Sequence, residues 1–140
     1  MCLLLSACSS QLSVTPPPQP GADIAAVCAS LQHTLPTTVA GQSARETTPT
    51  STLTAAWGDP PIVLRCGVPA PAGLTPTSQV TSVNGVDWYP EQLTAGYRFT
   101  ATGRTAYVEV TVPSQYASQA GGLTQIGPAV LAADPVTATG

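Results

Sequence analysis

Apolar and polar positions alternate most clearly between residues 97 and 112. Tyr97, Phe99 and Ala101 alternate with Arg98, Thr100 and Thr102. Ala106, Val108, Val110 and Val112 alternate with Thr105, Tyr107, Glu109 and Thr111. A period of two predicts strands with one apolar and one polar face, as in an antiparallel sheet covered on one side. Gly103-Arg104 suits a two-residue type II′ turn with glycine first. That turn would set Phe99 opposite Val108, Tyr97 opposite Val110 and Arg98 opposite Glu109. A second hairpin is predicted at Asn84-Gly85, since a type I′ turn needs positive φ at both central residues. Its strands would run about Val80–Val83 and Val86–Tyr89, with Pro90 and Glu91 ending the second.

Ile62-Val63-Leu64 is apolar without alternation and has turn residues on both sides, which predicts a central strand buried on both faces. Leu53 to Trp57 forms the strand before it, joined through the Gly58-Asp59-Pro60-Pro61 turn. Thr37 to Thr52 is polar and is read as a loop or a short edge strand. Period 3.6 appears twice. Ile24, Val27, Cys28, Leu31 and Leu35 make one apolar stripe on a helix from Asp23 to about Thr34, with Ala22-Asp23 as its N-cap and Pro36 as its stop. A second helix is predicted from a Ser114 cap to about Leu131. It would turn Tyr116, Leu123, Ile126 and Val130 to the sheet and be weakened at Gly121-Gly122 and Gly127-Pro128. Together these predict an α+β fold: an antiparallel sheet of about four to six strands packed against an N-terminal and a C-terminal helix.

Composition narrows the partners. Only 8% of the 140 residues are charged, and no lysine is present. Soluble domains carry about 25%. A net charge of −3 with four arginines excludes nucleic acid, which needs clustered cations to meet its phosphates. No basic run addresses anionic lipid either.

The first residues add an address. Leu5-Ser6-Ala7-Cys8 resembles the lipobox of bacterial lipoprotein signal peptides, which implies a diacylglycerol on Cys8. Residues 1–7 are read as a truncated signal peptide, because a complete one has a positive n-region and about 7–15 apolar residues. Residues 8–21 read as a Pro/Ser-rich tether around Pro16-Pro17-Pro18, a semi-rigid polyproline spacer. Residues 22–132 form a single domain, and residues 133–140 a disordered tail. The expected location is the outer face of the cell membrane, with secretion as the alternative. In an oxidising compartment the two remaining cysteines, Cys28 and Cys66, are most economically a disulfide. A metal role would need more ligands than the single His33 offers, and no CxxC redox pair is present.

Three motifs occur together: Ala55-Ala56-Trp57-Gly58-Asp59-Pro60-Pro61-Ile62-Val63-Leu64-Arg65-Cys66-Gly67, Val83-Asn84-Gly85-Val86-Asp87-Trp88, and Gly103 through Pro113. Over roughly Asp23 to Leu131 the chain resembles the domain of unknown function 3515 family, secreted or lipid-anchored proteins of actinobacteria. The resemblance implies an envelope location and a Cys28–Cys66 pair. It implies no established activity and supplies no catalytic residue.

Candidate chemistry is sparse. Arg98 and Glu109 read as a cross-strand ion pair. Asp59 reads as an Asx cap of its own turn, and Asp87 as a similar cap beside Asn84-Gly85. Arg65 must reach solvent or pair, with Asp59 or Glu109. Trp57, Asp59, Arg65 and Trp88 would line a groove for a wall fragment if they converged; otherwise both tryptophans belong to the core. The chain is therefore read as a non-enzymatic binding or assembly module without cofactor or metal. Its partners would be the membrane, through Cys8, and a protein or cell-wall component. The alternatives are a small-ligand or glycan-binding domain with a Trp/Arg cleft, and a hydrolase using Asp59 or Glu109. A binding groove would expose a tryptophan, and a hydrolase would bring two carboxylates close together.

Overall fold

A computed structural model describes residues 11–116, 120 and 122–135. In chain order the elements are β1 (Leu12–Ser13), α1 (Ala22–Thr34), β2 (Thr38–Val39), β3 (Gln42–Arg45), β4 (Thr47–Thr48), β5 (Thr54–Trp57), β6 (Ile62–Cys66), β7 (Thr81–Val83), β8 (Val86–Leu93), β9 (Gly96–Ala101), β10 (Val108–Pro113) and α2 (Leu123–Ala133). Eight strands form one antiparallel sheet in the order β2-β3-β5-β6-β10-β9-β8-β7. This is the expected α+β class. The sheet exceeds six strands because the polar stretch Thr37 to Thr52 supplies β2 and β3 at one edge, and β4 beside them.

β6 lies at the middle of the sheet between β5 and β10, as its apolar sequence predicts. Its burial nevertheless alternates. Ile62, Leu64 and Cys66 are buried, whereas Val63 and Arg65 are half-covered. The two-sided burial expected for Ile62-Val63-Leu64 is thus corrected. The helices cover only the face that Ile62, Leu64 and Cys66 share. Register builds that face in rows. Cys66 stands opposite Val108, Val108 opposite Ala101, and Ala101 opposite Trp88. Leu64, Val110 and Phe99 make the next row.

α1 packs its predicted stripe on this face, with Cys28 and Leu31 buried and Ile24, Val27 and Leu35 packed against the core. Cys28 is bonded to Cys66, with Cα atoms 5.7 Å apart, so the helix is clasped to the central strand. Gly21 occupies the N-cap position without a side-chain bond, so Asp23 contributes first-turn charge rather than the cap itself. His33 is exposed in the last turn, as its place off the stripe requires.

α2 begins at Leu123 rather than near Ser114. The Ser114 N–H is taken by the Ala95 carbonyl at 2.8 Å and the Tyr116 hydroxyl by the Pro60 carbonyl at 2.5 Å, which holds this stretch in a turn. Residues 117–119 and 121 of the predicted helix lie outside the described residues. From Leu123 the helix runs unbroken through Gly127 and Pro128, and Leu123, Ile126, Ala129 and Val130 are buried. Gly127 faces Val86 of β8, with room for a Cβ at ordinary contact distance.

Both hairpins exist. Asn84 and Gly85 have φ of 49° and 90°, the pair of positive values a type I′ turn demands. β8 does not stop at Pro90. It continues to Leu93, because beyond Trp88 it pairs only with β9 and a missing donor on that open side costs no ladder bond. In the β9–β10 hairpin the register differs from the expected one by two residues. Ala101 faces Val108, Phe99 faces Val110 and Thr111 faces Arg98. The connection is therefore Thr102 to Tyr107, longer than a Gly103-Arg104 turn. Its cause is Asp134, 3% exposed at the end of α2. The Asp134 carboxylate accepts the N–H groups of Thr105 (3.1 Å) and Ala106 (2.8 Å), and Arg104 donates to the carbonyls of Asp134 and Gly85. Those residues are thereby withdrawn from the ladder. A slip of two keeps every side chain on its predicted face.

The ends also differ from expectation. Leu12 and Ser13 of the supposed tether pair in parallel with Thr47 and Thr48 of β4, and Val14 is buried. This part of the spacer lies on the domain instead of standing free. α2 passes Ala132, and buried Asp134 anchors its end; residues 136–140 of the expected tail lie outside the described residues.

Candidate functional site

The four residues expected to share a groove are separated by the sheet itself. Trp57 and Trp88 point to the helix-covered face and are 1% and 0% exposed. The Trp57 indole N–H donates to the Pro36 carbonyl at 2.9 Å, while the Trp88 indole N–H has no partner among the described residues. Arg65 stands on the opposite face, and Asp59 is exposed in the turn before β6. No Trp/Arg-lined cleft forms from this set. Both tryptophans are core, as the alternative reading of them required.

Arg65 belongs to a different constellation. On the face away from the helices, register sets Thr54, Arg65, Glu109, Thr100 and Tyr89 in one row and Val63, Thr111, Arg98 and Glu91 in the next. Arg65 pairs with Glu109 at 2.8 Å and donates its Nε to the Thr15 carbonyl at 3.0 Å. Arg98 holds Glu91 through two bonds of 2.9 and 3.2 Å and lies 4.0 Å from Glu109. The Arg98–Glu109 pair expected from the sequence is thus the weaker of the contacts Arg98 makes. The carboxylate of Glu91, which β8 presents by running past Pro90, takes its place. The guanidinium of Arg98 is held above its ordinary pKa by the hydrogen bond to Glu91, against the opposing effect of burial.

Val68, Pro69, Pro71 and Ala72 close over these charges and leave a cleft of about 220 Å³. Within it every charge faces its opposite. Such half-exposed pairs stabilise by about 0–1 kcal/mol each, so the arrangement adds little to the stability of the fold.

The expected Asx cap at Asp59 is absent: its carboxylate accepts no hydrogen bond among the described residues. Asp87 accepts from the Ser82 hydroxyl across the β7–β8 hairpin instead of capping the turn. Asp59 does act on Tyr116, whose pKa is raised first by burial and second by that carboxylate. Above the ordinary tyrosine value the unfolded chain therefore loses its proton before the folded one does, and stability falls as pH rises. The urea midpoint is expected to drop more steeply above about pH 10 than for Tyr116→Phe, which has no proton to lose there.

A second, larger cleft was not legible in the sequence. It measures about 410 Å³ and lies between the C-terminal end of α1 and strands β3, β4 and β5. Gln32 reaches across from α1, and its amide nitrogen donates to the carbonyls of Ser51 (3.1 Å) and Thr54 (2.5 Å). Arg45 donates to the Gly58 carbonyl at 2.8 Å, and the Thr47 and Thr54 hydroxyls bond each other at 2.9 Å. Leu35, Pro36 and Ala55 give it an apolar wall, and Gln11 of the N-terminal segment stands at its rim. Trp57, singled out in the sequence, contributes to its wall although almost fully buried, and the density of hydroxyl residues between Thr47 and Thr54 was a further hint.

Among the described residues, no group of three His, Cys, Asp or Glu side chains is placed to hold a metal ion, and no helix is long and apolar enough to cross a membrane. Comparison with curated proteins and with solved structures finds no match. A family model described as protein of unknown function (DUF3515) matches residues 3–137, nearly the full length, and the chain belongs to that family.

Proposed function

We propose that this chain is a binding or assembly module of the cell envelope, held at the outer face of the membrane by lipid on Cys8 and working without catalysis. The observation that carries the reading is the Cys28–Cys66 bond, since structural disulfides persist outside reducing compartments. A binding role is supported by the 410 Å³ cleft, which lies within the size range of small-ligand sites. Catalysis has less support. Glu109 is engaged by Arg65, and Asp59 stands exposed in its own turn. The docked N-terminal segment alters the picture of a domain raised on a long spacer. Only three steps separate Cys8 from Gln11, about 10 Å of extended chain, so the domain would rest close to the bilayer.

Mass spectrometry of the mature protein tests the address. The expected product begins at Cys8 with its mass raised by a diacylglyceryl group. A mature chain that retains residues 1–7 with an unmodified Cys8 overturns the anchored reading. If the chain instead starts near Cys8 without lipid and is recovered outside the cell, secretion replaces anchoring.

A further inference from the structure

We propose that the cleft between α1 and strands β3 to β5 is a binding site for an uncharged saccharide. The inference rests on the binding-module reading and adds a site and a ligand class to it. Gln32, on α1, is half-buried at the wall of this cleft. Its amide nitrogen spends both hydrogens on the Ser51 and Thr54 carbonyls. The opposite amide orientation would set an oxygen against two carbonyl oxygens, so the orientation is fixed by the backbone. The Gln32 Oε1 is left as an acceptor that meets no donor among the described residues. Glu46 and Thr50 line the exposed rim of the same cleft, and their side chains make no hydrogen bond among the described residues. The cleft thus presents one acceptor held in a fixed orientation inside and hydrogen-bonding groups open to solvent at its rim.

Charge and shape restrict what can answer them. One guanidinium, Arg45, and one carboxylate, Glu46, line the cleft, so its formal charge cancels. A phosphate would meet Glu46 and a polycation would meet Arg45. A ligand rich in hydroxyl or amide donors, neutral, and with an apolar ring face to lie on Leu35, Pro36 and Ala55 satisfies all of these at once. A saccharide has that chemistry, and about 410 Å³ accommodates one or two rings. The Arg65–Glu109–Arg98–Glu91 cleft lacks this character because its charges already satisfy one another. In the wider hollow beside Leu74, Thr75 and Tyr107, the Ser78 hydroxyl is already engaged with Thr75.

The test is an amide NMR titration of the full chain with N,N′-diacetylchitobiose at millimolar concentration. Glucuronate and inorganic phosphate serve as charged controls. Saturable shifts are expected at Gln32, Arg45, Glu46, Thr50 and Thr54, with weaker or no response to the two anions. Glu46→Ala and Thr50→Val should each weaken binding by about tenfold, the effect of one hydrogen bond, while the rest of the spectrum stays as in the parent. Absence of shifts with the disaccharide, an equal response to phosphate, or variants that bind as well as the parent each overturns the proposal. Shifts mapped to the charged cleft under the proline-rich segment overturn this site but leave the binding-module reading standing. Failure of that reading would show separately, in the mass of the mature protein.

Discussion

Replacing Cys28 and Cys66 together by serine is expected to lower the unfolding free energy by about 4 kcal/mol, the chain-entropy value for a loop of this size. The two residues are 38 apart in sequence and tie α1 to the middle strand of the sheet. The same loop contains β2, β3 and β5, three of the eight strands of the sheet, so removing the crosslink frees that length of the unfolded chain as well as unclasping the helix. Urea unfolding of the parent with and without reductant, beside the double variant, checks this. The reduced parent should coincide with the variant. A midpoint that does not move would mean that packing of Leu31 and its neighbours alone holds α1 in place.

Trp88→Ala is the second large effect, at about 3–5 kcal/mol for a fully buried aromatic. The indole is 0% exposed and ends the row Cys66, Val108, Ala101, Trp88. Trp88→Phe should cost clearly less. It keeps a ring in place and removes an N–H that no partner answers among the described residues. Denaturant unfolding separates the two variants. A near-neutral alanine variant that lost ligand binding would instead make Trp88 a site residue and displace it from the core.

These outcomes track what was readable in the residues. Period-two alternation set the faces of β9 and β10 correctly, because facing depends only on local order. Their register was not readable in the same way. It depends on Asp134, whose carboxylate arrives from the far end of the chain to claim the Thr105 and Ala106 amides. Asn84-Gly85 carried its own turn geometry and was legible outright. Pro90 was misleading, since proline interrupts a ladder only where its missing N–H would face a partner strand.

The candidate site was less accessible to sequence reasoning than the fold. Trp57 and Trp88 drew attention as large aromatics, yet the alternation around them places both inside. Gln32 carried no signal. Its importance comes from two carbonyls 19 and 22 residues further along the chain, a contact that helix periodicity does not encode.

β8 is long, yet its last residues have a neighbouring strand on one side only, and Pro90 sits among them without an amide hydrogen. An incoming chain trying to extend the sheet there would meet a gap in its bonding pattern and the charged side chain of Glu91 one residue later. The rim of the sheet is in this way guarded against self-assembly into fibres or stacked dimers. Pro90→Val would remove that guard, leaving a contiguous strip of donors and acceptors open to another molecule.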